Sequence, residues 1–282
     1  MKKTTKEALR REIRETVRLV REKNPLTPSI TNTVTINLVA NAQLAVGGSA
    51  AMVYLADEGE GMASLGGAMY INMGTILPVY AETLPRTVKV LTELGKPWVI
   101  DPVGIGVGAL RTSLLLGFQT DKPTIIRGNA SEIIALAELW ELDNGRTMSG
   151  VRGVDSTDSV ETARTAAISL ARHTGGAVAV SGPVDLVTDG KSLAWVEGGS
   201  KFLPMITGAG CSLGGVAAVY ACVASPFVAA LTATAIYDFA GTKAEQRAEG
   251  PASFQVAFLD ALYQATPEDV GAQPFTLEVI GK

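Results

Sequence analysis

Apolar positions along this chain switch between a helical period and short continuous runs, and the switches mark out its elements. Leu9, Ile13, Val17 and Val20 recur at helical spacing among charged residues, which predicts an N-terminal helix docked on the body of the protein. Ser29-Ile30 reads as a strand end, Thr31-Asn32-Thr33 as cap chemistry, and Val34 to Val46 as a helix closed by Gly47-Gly48, with Val34 and Val46 in the core. Strands are expected at Ala50 to Tyr54, Ala68 to Met73, Trp98 to Ile100 and Thr124 to Ile126, with an acidic turn after the first. Helices are expected from Pro78 to Leu94, Ser131 to about Leu139 and Asp158 to His173, with 140–157 polar and loop-like. Ala177 to Val180, Asp185 to Thr188 and Leu193 to Val196 read as three strands, the last two a hairpin turning at Asp189-Gly190. The chain is then mainly helical from Cys211 to about Gln264, with a closing strand near Leu277 to Ile280. Apolar strands alternating with helices predict an α/β fold, three layers deep, with a mostly parallel central sheet covered on both faces. No repeat or low-complexity linker divides it, so the N-terminal helix is expected to precede one large domain.

Charge sharpens this division. The net charge of −4 is split into +5 over residues 1–23 and −9 over the remainder. A nucleic-acid binder shows the reverse, a basic body, so no such partner is expected. No apolar run reaches the roughly 20 residues that span a bilayer, and the basic start leads into charges rather than an apolar stretch; neither a membrane anchor nor a signal peptide is expected. The two cysteines, Cys211 and Cys222, fall eleven residues apart on one predicted helix, too far to bond, which suits a reducing cytoplasm.

The chemistry concentrates where strands end. Met205-Ile206 runs into Thr207-Gly208-Ala209-Gly210-Cys211, a turn of small residues opening a helix, where successive N–H groups form an anion site. A thiol, Cys211, sits in that site, which points to phosphoryl transfer. In parallel sheets ligands bind beyond the carboxyl ends of the strands. Those ends carry Asn32, Asn72, Asp101, Arg127, Asn129, Ser181 and Thr207, with Glu132 one turn into the next helix. Asp101 and Glu132 fit a Mg²⁺ ion, held directly or through water, as for nucleotide phosphates, and Arg127 fits a phosphate or a base. Glu132, three residues after Asn129, equally fits a capping box, and Cys211 equally fits a buried small hydrophobe.

Other motifs carry less. Gly210-Cys211-Ser212-Leu213-Gly214 matches a hydrolase nucleophile elbow, but the one histidine, His173, lies upstream at a helix end. Gly190-Lys191-Ser192 echoes a phosphate loop but falls in a hairpin, and Gly104-Ile105-Gly106-Val107-Gly108 lacks dinucleotide spacing and reads as a flexible loop.

Ile30-Thr31-Asn32-Thr33-Val34-Thr35, Asp101-Pro102-Val103-Gly104, Ile126-Arg127-Gly128-Asn129-Ala130-Ser131-Glu132-Ile133, Gly153-Val154-Asp155-Ser156 and Thr207-Gly208-Ala209-Gly210-Cys211 occur in this order. Together they resemble the hydroxyethylthiazole kinases of the ribokinase-like superfamily, over roughly residues 25–265. The resemblance implies a ribokinase-like fold and ATP-dependent phosphorylation of the primary alcohol of 4-methyl-5-(2-hydroxyethyl)thiazole in thiamine salvage. It implies a homotrimer with active sites between subunits. It places nucleotide contacts on Arg127 and Ser181, thiazole contacts on Asn32, Met52 and Gly208, magnesium-associated acids on Asp101 and Glu132, and the catalytic position on Cys211, where most ribokinase-like relatives carry Asp. Pro28-Ser29 stands where the family usually has a His-Cys or similar pair. Ser181 replaces a Thr and keeps its hydroxyl; Ala209 replaces a Thr and leaves anion binding to backbone N–H groups. The alternatives are a kinase for another small heterocyclic alcohol, of hydroxymethylpyrimidine or pyridoxal type, and a ligand-binding pseudokinase.

Overall fold

A computed structural model describes residues 5–145 and 159–280. In chain order the elements are α1 (Lys6–Lys23), β1 (Leu26–Ile30), α2 (Ile36–Ala45), β2 (Ser49–Met52), α3 (Ala56–Leu65), β3 (Met69–Asn72), α4 (Tyr80–Glu93) and β4 (Trp98–Asp101). There follow α5 (Ala109–Asp121), β5 (Ile125–Asn129), α6 (Ala130–Leu139), α7 (Arg164–Thr174), β6 (Ala177–Ser181), β7 (Asp185–Thr188) and β8 (Ser192–Val196). After a 3₁₀ turn at Leu203–Met205 come α8 (Ala209–Ala221), α9 (Pro226–Glu245), α10 (Pro251–Gln264), α11 (Pro267–Ala272) and β9 (Phe275–Val279).

The strands form one sheet in the order β2-β1-β3-β4-β5-β6-β7-β8-β9. Pairings from β2 through β6 are parallel, and β6 to β9 continue antiparallel. Both faces of the central strands are covered, which is why β3 to β6 are mostly apolar up to their polar ends. Tyr70, Val99, Ile125, Ala179 and Val187 point into one core with α1, α2 and α8–α11; Ile71, Ile100, Ile126, Val178 and Leu186 point into the other with α3–α7. The stripe on α1 buries Leu9, Ile13, Val17 and Val20 as its spacing predicts, with Thr5 capping the helix by accepting from Ala8 N–H.

Several expectations change. The segment after β2 is the helix α3 rather than an acidic turn, and α5 occupies a stretch to which the sequence reading gave no element. Val34 precedes α2 and is 66% exposed, so it is not core, whereas Val46 is buried as expected. Regular helix in α7 begins at Arg164, later than Asp158. The Gly153-Val154-Asp155-Ser156 motif lies outside the described residues.

Candidate active site

The parallel register explains why the polar residues converge. Asn72 stands opposite Asp101 across β3 and β4, and Asn129 opposite Ser181 across β5 and β6, so each strand delivers its last side chains to the same edge. Beside that edge α8 begins at Gly208, whose φ of +94° no Cβ-bearing residue adopts readily, and a Cβ there would lie 2.9 Å from the Thr35 side chain. Ser212 N–H bonds back to Gly208 O at 2.8 Å, which leaves Gly210 and Cys211 N–H as first-turn donors without intrahelical acceptors. Arg127 lies directly over this turn: a Cβ on Gly210 would come within 2.6 Å of Nη1. The turn therefore combines free backbone donors with a guanidinium, an arrangement suited to an anion.

A hydrogen-bonded chain links the thiol to this cation. Asn32 is held by its Oδ1, which accepts from Val34 and Thr35 N–H, both at 3.1 Å. Its Nδ2 donates to Cys211 Sγ at 3.6 Å and to Asn72 Oδ1 at 2.8 Å. Asn72 Nδ2 donates to Tyr70 OH at 2.8 Å, and Tyr70 OH donates to Asp101 Oδ2 at 3.2 Å. Arg127 closes the chain, with Nη1 donating to Asp101 Oδ2 at 3.1 Å and Nη2 to Ser181 Oγ at 2.9 Å.

Burial pushes the Asp101 carboxyl up to about 7 against the pull of Arg127, with Glu132 adding to the rise. For Arg127 burial works against the charge, but Asp101 and Glu132 outweigh it and hold the guanidinium above its ordinary value. Burial, then the Asp101 charge, raise the Cys211 thiol above its ordinary value, with Arg127 opposing. A helix N-terminus favours thiolate, yet here desolvation outweighs it.

Asp101 Oδ1 is buried with no hydrogen-bond partner. An oxygen in that state fits a cation or its water shell, and Mg²⁺ keeps several waters and substrate oxygens, so one or two carboxylates suffice. Glu132 contributes charge felt at Asp101, but its Oε2 accepts from Asn129 N–H at 2.9 Å while Asn129 Oδ1 accepts from Glu132 N–H at 2.9 Å. The capping-box reading of Glu132 is thus realised, and a metal-associated role would be additional to it. Among the described residues no group of three or more His, Cys, Asp or Glu gathers as for a protein-built metal cage.

A cleft of about 810 Å³ opens beside the turn, of nucleotide-binding size. Arg127, Asn129, Ser181, Ala209 and Gly210 line it, together with residues the sequence reading passed over: Asp185, the 198–201 loop, Tyr237 and Asp238. Asp238 did leave a signal, as the one charged residue between Pro226 and Gly241. Tyr70 left none, since an aromatic in a strand reads as core. Met52 is half-buried at the end of edge strand β2, in register with Ser29, and no described contact joins it to the chain of hydrogen bonds. The hydrolase reading fails on geometry: His173 belongs to α7 beneath the opposite face of the sheet, with Nε2 at 3.0 Å from Gln119 O and its ring against Trp140.

The model of the hydroxyethylthiazole kinase family matches residues 17–268. A hydroxyethylthiazole kinase of Bifidobacterium animalis subsp. lactis (strain AD011) is 49% identical over 280 residues, covering 95% of this chain and 92% of that protein. The solved structure of the hydroxyethylthiazole kinase protein from Pyrococcus horikoshii OT3 superposes with a TM-score of 0.83 at 32% identity, covering 96% of this chain and 100% of that one. A ribokinase-like superfamily protein from Enterococcus faecalis V583 shares the fold, with a TM-score of 0.58 at 10% identity, covering 94% of this chain and 96% of that one.

Proposed function

This chain belongs to the hydroxyethylthiazole kinase family, and from that premise we propose that it transfers the γ-phosphoryl group of ATP to the primary alcohol of 4-methyl-5-(2-hydroxyethyl)thiazole, a salvage step towards thiamine. The observation that carries this reading is the chain of hydrogen bonds from Cys211 at the start of α8 to Arg127 and Ser181 at the cleft wall. Phosphoryl transfer asks the protein chiefly to position two substrates and neutralise charge. Arg127 and the N–H groups of Gly210 and Cys211 supply that neutralisation at the γ-phosphoryl oxygens. Ser181 orients the guanidinium and offers a hydroxyl to the nucleotide. Cys211 Sγ accepts the hydrogen bond of the attacking alcohol and, as thiolate, its proton. Asn32 fixes the thiol's position and, with Gly208 and Met52, borders the thiazole. Mg²⁺, held by Asp101 and Glu132 through its waters, would offset the charge of the ATP phosphates. The orphaned Asp101 oxygen supports that assignment.

The same reading makes the protein a cytoplasmic homotrimer with sites between subunits. Val34 and Leu55 support it: they are exposed apolar residues close in sequence to Asn32 and Met52, which a partner subunit would cover. Two free cysteines suit the cytoplasm. Residues 1–24 are then a helical extension on a kinase domain of residues 25–282, with α1 lying against α9 and α11. No described helix is long and apolar enough to cross a membrane.

The test is ADP release from Mg-ATP with the thiazole alcohol, the phosphorylated product being identified by mass. Turnover well above the alcohol-free rate is expected. ATP binding without product, on this alcohol or on hydroxymethylpyrimidine or pyridoxal, would make it a binding protein.

A further inference from the structure

Besides the residues suited to phosphates, the cleft wall carries two buried acids. Asp185, at the start of β7, and Asp238, on α9, both line it and are only 8% and 6% exposed. Asp185 has a partner, since its Oδ1 accepts from Gly182 N–H at 2.7 Å. Asp238 does not: its Oδ2 is buried and unbonded. The glycine loop presses on the same side chain, because a Cβ on Gly198 would lie 2.8 Å from Asp238 Cβ and one on Gly199 3.3 Å from Oδ1. Such a carboxyl costs stability unless something supplies its missing hydrogen bond.

Charge decides which part of a nucleotide could do so. Two carboxyls repel a triphosphate, and the phosphates have Arg127 and the start of α8. What remains for Asp238 is the uncharged nucleoside. Resting on the ATP reading above, we propose that Asp238 reads the donor's nucleobase, its carboxyl pairing with an amino group and the adjacent ring nitrogen, the edge adenine presents.

The protonation states agree with that pairing. Burial first, then the neighbouring Asp185, push Asp238 up to about 9. Burial also raises Asp185, to about 6, with the Gly182 N–H and then Arg127 opposing. The Gly182 N–H favours the charged form of Asp185 while nothing bonds the buried Asp238 oxygen, so the pair is arranged for Asp238 to hold the proton. A neutral carboxyl offers one O–H donor and one C=O acceptor, which complement a ring nitrogen and an N–H. The other charged groups on the cleft wall are Arg127 on β5, which acts on Asp185, and Lys201 and Glu245, which pair with each other at 3.7 Å.

The experiment is equilibrium binding of ATP, of purine riboside triphosphate, which lacks the 6-amino group, and of 2′-deoxy-ATP, to the full chain without any alcohol. Wild type should bind ATP about tenfold more tightly than the desamino analogue, and Asp238→Ala should lose that preference. Asp238→Asn, which keeps one donor and one acceptor, should retain the preference. It should also abolish the weakening of ATP binding that wild type shows as pH rises through about 9. Equal wild-type affinity for ATP and the desamino analogue would overturn the proposal. So would a preference that survives Asp238→Ala, or an Asp238→Ala loss that appears only between ATP and 2′-deoxy-ATP, which would place the ribose there. Binding is read without turnover, so an inactive kinase with intact base preference would count against the thiazole reading alone.

Discussion

In the proposed reaction Cys211 accepts the proton of the alcohol, and its surroundings constrain how it can do so. Its thiol is half-buried, receives a weak hydrogen bond from Asn32, and is raised above its ordinary value by desolvation and by Asp101. A base of that kind works better as pH rises, so kcat should climb through the alkaline range rather than level off near neutrality. Cys211→Ala should lower kcat about 10²-fold or more, within the usual range for a general base, with little change in ATP KM. Cys211→Asp should hold or raise kcat and move its rise to lower pH. Measuring kcat against pH for the three proteins checks this, and an alanine variant with wild-type kcat would leave Cys211 as a small packing residue. Residue identity in the sequence was enough to single out Cys211, Asp101 and Arg127 as candidates, because strand ends followed by polar residues are where such sheets bind ligands. It was not enough for Tyr70, whose hydroxyl matters only because register brings it to Asp101.

At the scale of elements, the start of α8 is where the proposed site meets the helix's own stability. The Gly210 position faces two opposed effects. Alanine favours helix over glycine by about 1 kcal/mol. Its Cβ would press 2.6 Å from the Arg127 Nη1, and that guanidinium is locked by Asp101 and Ser181. Overpacking costs about 1–3 kcal/mol, so the stability change of Gly210→Ala should be small while the displaced arginine raises ATP KM about tenfold or more. Thermal melts together with ATP titrations separate the two; an unchanged KM would mean that Arg127 does not serve the nucleotide. Elements with a clear period, such as α1 and α4, were visible in the sequence. The helix α3 was not, since Asp57-Glu58-Gly59-Glu60-Gly61 reads as a turn, and it holds because Ala63 is buried and Arg86 of α4 reaches Glu60 at 2.6 Å. The helix α5 has three successive leucines that blur its period, and it is tied down by Arg111 Nε donating to Met73 O at 2.8 Å.

For the whole molecule, the buried acids couple the site to stability. Asp185, Asp101 and Asp238 are raised to about 6, 7 and 9, each above an unfolded value near 4. A raised carboxyl binds its proton more tightly in the folded state, so its contribution is complete below about 4 and is lost as pH rises through the folded value. The melting temperature of the ligand-free protein should therefore fall by several degrees between about pH 4 and 9, and Asp238→Asn should flatten the upper part of that fall. Melts across this range test it; a flat profile in wild type would mean that these carboxyls are hydrated rather than dry. The sequence by itself determined the alternation of strands and helices, the covered sheet, the glycine turn with its thiol and the polar strand ends, because these depend on local periodicity and on the residues that end elements. Only the tertiary structure decided that Asn32, Asn72, Tyr70, Asp101, Arg127 and Ser181 form one chain of hydrogen bonds. It alone set Asp238 on the wall of the cleft that the glycine turn also lines. Those relations join residues far apart in sequence through strand register and helix packing, and no local pattern carries them.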